Sequence, residues 1–274
     1  TDTPLIFFMT LSAWLFIRAE THQTSKLVWL WFAASGLVLG LAFLSKYFAV
    51  LLGVAYAVYL LGWRRDRWWA LLLIVLATLP SVAVHLYFNA YHGWQNVMFN
   101  LFNRHQQAQW NMQTLLVYGL MVVYLFTPWL VYRSVRQPSL GLGQPRALVG
   151  VLLAVPLLLL CLVALKRSVG LHWVLGFVPL FLLWAAFARY QSGQLSKLYQ
   201  WTLWLSVPHL IGVWVLAGSP LHWWANSSQY DKLVFLRHAD QVTTQVVADL
   251  PPKTQLMTTS YSPAAVLAYH AKQY

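Results

Sequence analysis

Eight apolar runs, at residues 4–19, 27–44, 47–63, 69–88, 114–132, 147–165, 172–188 and 199–217, constrain this chain more than any other feature. Crossing a hydrocarbon core takes about 20 mostly apolar residues in a helix, fewer where the ends are polar or aromatic. Breaks of only a few residues separate most of the runs. None shows the period-two alternation of a barrel strand, so helices are expected. The sequence therefore predicts an all-α membrane bundle of about eight spans over residues 1–218. Residues 219–274 are read as the start of a small α/β domain on the outer side.

Composition excludes the soluble alternative. Only 9% of the residues are charged and 59% are hydrophobic, against roughly 25% and 45–50% in soluble domains. Tryptophan occurs 16 times, and its half-polar ring favours the membrane–water interface. The net charge of +12 does not indicate nucleic acid, because the lysines and arginines sit in the breaks between runs, where anionic headgroups lie. Cys161 is the single cysteine, which leaves no disulfide framework and no thiolate zinc site. The chain begins at Thr1 beside a hydrophobic run and ends at Tyr274 without a polar tail, and is expected to be an internal piece of a longer protein.

Basic residues set the expected orientation. With Asp2 outside, alternation puts Arg18, Lys26, Arg64, Arg65, Arg67, Arg133, Arg136, Arg146, Arg189 and Lys197 inside. Before the tail, the outer side keeps only Lys46, Arg104, Lys166 and Arg167, an imbalance that follows the positive-inside rule. A multi-pass protein of the inner (plasma) membrane is expected, with its C-terminal tail on the periplasmic or outer side. The connection 89–113 carries Trp94, Val97, Met98, Leu101 and Phe102 at helical spacing and predicts a helix lying in the headgroup layer. In the tail, 238–250 and 263–272 read as helices and 255–259 as a short strand.

Prolines at positions 80, 128, 156, 179 and 208 fall inside the runs and predict kinks, which neighbouring helices in a bundle tolerate. Gly36 and Gly40, four apart, are read as sites of close helix packing.

Few residues carry chemistry. Asp2 reads equally as an N-cap, ahead of Pro4 in the first turn, and as a carboxylate at a membrane-embedded site. Lys46 stands between two apolar runs almost without a loop. It either snorkels to the interface or meets an anionic headgroup at the edge of the hydrocarbon. Arg104 and His105 end the interfacial helix, and Lys166, Arg167 and His172 gather at the next outer connection. Together these residues suggest an anion site. His92 reads as a turn cap or a binding residue. There is no Gly-rich phosphate loop, no Ser-His-Asp order and no zinc spacing. No cofactor motif is present, and a divalent metal is left open.

Several stretches, in order along the chain, resemble the polyprenyl-phosphate-dependent glycosyltransferases of GT-C fold, the family of aminoarabinose transferase and the protein O-mannosyltransferases (glycosyltransferase family 39). They are Thr1-Asp2-Thr3-Pro4-Leu5, Gly40-Leu41-Ala42-Phe43-Leu44-Ser45-Lys46-Tyr47, Asn89-Ala90-Tyr91-His92-Gly93-Trp94 and His172-Trp173. In the tail, Ser260-Tyr261-Ser262-Pro263-Ala264 precedes Leu267-Ala268-Tyr269.

The resemblance implies transfer of a sugar from a polyprenyl-phosphate donor to an acceptor on the outer face, with inversion at the anomeric carbon. It makes Asp2 the acidic residue near the site and Lys46 the holder of the carrier phosphate. His92, Arg104, His105, Lys166, Arg167, His172 and Tyr261 are the further substrate-binding candidates. It places the family's principal catalytic carboxylate upstream of Asp2, so a fragment of this extent is expected to be inactive alone. Membrane lipid is the other expected partner. A transporter or flippase for a lipid-linked anion would use the same basic face, but it would normally carry charges within spans or repeated broken helices. A noncatalytic scaffold is the third class.

Overall fold

The computed structural model describes residues 2–21, 27–101, 110–136, 143–190, 195–251, 254, 258 and 261–271. The chain divides into two compact units, Thr1–Tyr199 and Gln200–Tyr274. The described residues form helices joined by turns and short irregular connections, with no strand among them.

In the first unit, α1 (Asp2–Thr21), α2 (Val28–Ser45), α3 (Val50–Gly62) and α4 (Trp68–Tyr91) are followed by the short α5 (Gln95–Leu101). After these come α6 (Met112–Phe126), α7 (Pro128–Arg136), α8 (Gly143–Ala164), α9 (Leu171–Leu175) and α10 (Val178–Tyr190). Helix α11 (Leu195–Gly218) leads into the second unit, which holds α12 (Tyr230–Arg237), α13 (Ala239–Ala248) and α14 (Tyr261–Ala271).

Among the described residues five helices, not eight, are long and apolar enough to cross a membrane: Asp2–Thr21, Val28–Ser45, Arg65–Tyr91, Pro145–Ala164 and Gln200–Gly218. That number makes the chain a multi-pass membrane protein. The other three runs become shorter helices for identifiable reasons. Run 47–63 spends its first residues on a 3-10 turn at Tyr47–Ala49, which leaves 13 residues for α3. Run 114–132 breaks at Thr127, whose φ of 55° and ψ of 106° end α6 before Pro128 opens α7. Run 172–188 is divided at Gly176–Phe177 into α9 and α10, with Pro179 in the first turn of α10, where its missing N–H costs nothing.

The expected α/β tail is also overturned. The described residues after Gly218 form a 3-10 turn at Leu221–Trp224 and three helices. Helices satisfy their own backbone hydrogen bonds, whereas a lone strand has no partner for its amides and carbonyls. Most of the expected strand, at 255–257 and 259, lies outside the described residues. Part of the expected interfacial helix is present as α5, and residues 102–109 also lie outside.

In the first unit, α1 packs along α2 and α2 along α4, while α3 packs against α8 and α8 against α10. Glycines bring α2 and α4 together. A Cβ on Gly36 would stand 2.4 Å from the Ile74 carbonyl oxygen, and one on Gly40 2.5 Å from Ser81 Oγ. Thr78 Oγ1 then donates across this contact to the Gly36 carbonyl at 3.0 Å.

Where α1, α2 and α3 meet, a buried hydroxyl group ties the helices. Ser12 Oγ lies 2.9 Å from Tyr56 OH and donates to the Ser35 carbonyl, and Ser35 Oγ donates back to the Ser12 carbonyl. The Tyr56 ring stacks on Phe16 at 4.1 Å. With no water in hydrocarbon, each of these polar groups needs a partner in the protein.

At the other end of α1, Glu20 is buried and bridged by two arginines, Arg64 at 2.7 Å and Arg67 at 3.1 Å. Asp66 holds the second face of Arg64 at 3.2 Å. In the second unit, Arg237 of α12 caps the end of α11. Its guanidinium donates to the carbonyls of Ala217 and Ser219, both at 2.6 Å, and to that of Leu216 at 3.4 Å. Trp224 Nε1 donates to Ser219 Oγ at 2.8 Å.

Candidate functional site

Antiparallel packing of α1 and α2 puts the first residue of one beside the last residue of the other. The result is an ion pair between Lys46 Nζ and Asp2 Oδ1 at 2.5 Å. Lys46 leaves the helix at that point: its φ of −159° is extended, while its N–H still donates to the Ala42 carbonyl. Neither side chain is fully buried, at 22% exposure for Lys46 and 42% for Asp2. The pair thus remains open to a ligand while holding both charges in a fixed geometry.

His172, on α9, is close enough to act on Asp2 electrostatically. Its ring faces Phe48 at 6.3 Å, and Phe48 in turn packs on Trp173 at 4.1 Å. Gly170 makes room for this arrangement, since a Cβ there would stand 2.7 Å from the His172 ring. Asp2 of α1 and Lys46 at the end of α2 are therefore paired, with His172 of α9 within electrostatic reach of Asp2.

A second polar group adjoins Lys46 along the chain. Tyr47 OH lies 3.3 Å from His85 Nε2, and the buried Asn89 donates to the His85 carbonyl at 2.8 Å. The Asn89 carbonyl accepts the amides of His92 and Trp94. The chain reverses there through Gly93 and Trp94, at φ 65° and 58°. A positive φ is ordinary for glycine and strained for tryptophan.

The remaining candidates lie elsewhere. The His92 ring stacks on Phe88 at 3.9 Å and its Nδ1 lies 2.7 Å from the Phe88 carbonyl, so the ring turns back on its own helix. Lys166 Nζ sits 5.2 Å from the Trp110 ring centre. Arg167 lies in the connection between α8 and α9 and is only partly exposed. Tyr261 opens α14 in the second unit. Arg104 and His105 lie outside the described residues. Among the described residues no group of three or more His, Cys, Asp or Glu side chains is placed to hold a metal ion.

Sequence reading passed over Tyr47, Asn89 and Gly170 as site residues. Tyr47 and Asn89 both fall in stretches that carry the family resemblance, but their roles depend on where Tyr47 and His85 meet. His85 itself sits within α4 with its ring against Tyr47 OH and the Asn89 amide.

No curated protein matches the chain, and neither does any solved structure. The family model described as dolichyl-phosphate-mannose-protein mannosyltransferase matches residues 1–88, about a third of the chain, and gives α1 to α4 a family-level relation to those enzymes.

Proposed function

We propose that the protein is a membrane glycosyltransferase that moves a sugar from a polyprenyl-phosphate carrier to an acceptor on the outer face of the plasma membrane. One observation carries this reading: the family match over residues 1–88 contains both members of the Asp2–Lys46 pair. Arg64 and Arg67 gather on Glu20 at the opposite end of α1, which supports placing the Asp2–Lys46 pair outside.

The chemistry asks for few groups. The acceptor oxygen or nitrogen attacks the anomeric carbon, the bond to the carrier oxygen breaks, and the electron pair leaves with the carrier phosphate. A carboxylate takes the acceptor's proton as general base. Negative charge grows on the departing phosphate, and a cation fixed beforehand stabilises it best in a water-poor site. Lys46 is that cation in this reading. Asp2 holds the ammonium in place before the donor arrives, and His172 stands within electrostatic reach of Asp2.

The test is transfer of labelled sugar from a polyprenyl-phosphate donor by the full-length protein. Lys46→Ala is expected to lower turnover by about 100-fold or more. Unchanged turnover overturns the role of Lys46.

A further inference from the structure

In residues 1–199 the only acidic side chains are Asp2, Glu20 and Asp66. Each already has a cation: Lys46 for Asp2, Arg64 and Arg67 for Glu20, and Arg64 again for Asp66. No carboxylate of this unit is left over for Arg167.

Arg167 nevertheless has buried donors. Its Nε and Nη2 are shielded from solvent and have no hydrogen-bond partner among the described residues. These two nitrogens form the side edge of the guanidinium, where two N–H bonds run parallel. That spacing matches two oxygens of one phosphoryl or carboxylate group. Buried N–H donors without an acceptor carry the cost of their lost hydration, so the arrangement makes sense as one half of a pair.

The backbone holds this edge in position. The amides of Lys166 and Arg167 both donate to the Val163 carbonyl, and the Leu165 carbonyl accepts the Asn111 amide at 2.9 Å. Thr114 Oγ1 donates to the Ala164 carbonyl at 2.7 Å. The start of α6 thus clamps the connection on one side. On the other side the connection runs through Gly170 into His172, within electrostatic reach of Asp2.

We propose that Arg167 is a bidentate seat for a phosphoryl oxyanion, separate from Lys46, whose two buried donors have no acceptor among the described residues. Lys46 must give up Asp2 to take an anion; Arg167 gives up nothing. Identifying the phosphoryl group as that of the lipid-linked donor rests on the function proposed above. The seat itself rests on the orphaned donors and the charge inventory.

The test uses the full-length protein in nanodiscs, with polyprenyl phosphate and phosphatidylglycerol as separate probes, and compares Arg167→Gln with Arg167→Lys. Arg167→Gln is expected to weaken binding of one probe at least tenfold. Arg167→Lys, which keeps the charge but loses the parallel donors, recovers only part of that loss. As a readout independent of ligand, Arg167→Gln is expected to raise the melting temperature of the ligand-free protein, because it removes an unpaired charge.

Loss confined to polyprenyl phosphate supports the seat and identifies the donor as its source. Loss confined to phosphatidylglycerol supports the seat and assigns it to bilayer lipid. Failure of the wild type to bind polyprenyl phosphate counts against the proposed function, and the phosphatidylglycerol arm then decides the seat alone. Unchanged affinity for both probes in Arg167→Gln overturns it, as does full recovery by Arg167→Lys.

Discussion

Replacing Gly36 with alanine tests the α2–α4 contact on which the first unit is built. The added Cβ would stand 2.4 Å from the Ile74 carbonyl oxygen, 2.8 Å from its Cα and 2.9 Å from its carbonyl carbon. All three are backbone atoms, so no side-chain rotation relieves the clash. Reaching an ordinary contact of 3.4 Å requires the two helices to part by about 1 Å. Overpacking of this kind costs about 1–3 kcal/mol, and a backbone collision belongs near the upper end. Alanine returns up to about 1 kcal/mol through its better helix propensity. The net expectation is a loss of about 2 kcal/mol. Gly150→Ala, in α8 of the same unit, is the control. Its Cβ would meet Trp184 Nε1 at 3.5 Å, an ordinary contact, so it is expected to be neutral or to gain up to about 1 kcal/mol. Reversible unfolding in bicelles, followed by steric trapping, measures both. Equal stabilities for the two variants would refute the claim that glycine is needed for α2 to reach the α4 backbone.

Two further outcomes follow from buried polar contacts. Glu20→Gln leaves Arg64 and Arg67 with only the exposed Asp66, at 3.2 Å and 3.9 Å, and is expected to cost about 3 kcal/mol; the same unfolding assay checks it, and a loss below ~1 kcal/mol contradicts the bridging role. A double-mutant cycle of Ser12→Ala with Tyr56→Phe is expected to give a coupling near 0.6 and no more than ~1.7 kcal/mol, the scale of hydrogen bonds between membrane helices; zero coupling would mean the two hydroxyls do not share a bond.

Much of the helical content was legible because apolar runs and charge placement report directly on burial in lipid. Gly36 and Gly40 were readable as packing positions for the same reason: their spacing puts both on one helix face. The helix breaks were harder. Pro128 marked a kink, but the full interruption depends on the conformation of Thr127, which neighbouring residue types do not determine. The span count fell from eight to five because hydropathy measures how apolar a run is, not whether its hydrogen-bond ladder continues.

The site was legible only residue by residue. Asp2 and Lys46 each stood out as a charge at the mouth of an apolar run. Their pairing depends on the packing of α1 against α2, 44 positions apart. The same holds for Glu20, whose two arginines lie beyond two intervening helices, and for Tyr47 and His85. Local sequence carries the anomaly, and tertiary contact carries the partner.

The Arg237 clamp has a mechanical consequence. The Gln200–Gly218 span has 19 residues, about 28 Å at 1.5 Å per residue, close to the ~30 Å of a bilayer's hydrocarbon. Such a helix meets a thinner membrane by tilting further and a thicker one by standing upright. Two of its final carbonyls, at Leu216 and Ala217, and that of Ser219 just beyond are gripped by one guanidinium from α12, so the junction is not a free swivel. When α11 tilts, α12 turns with it, and the thickness of the membrane becomes an angle of the polar helix that follows.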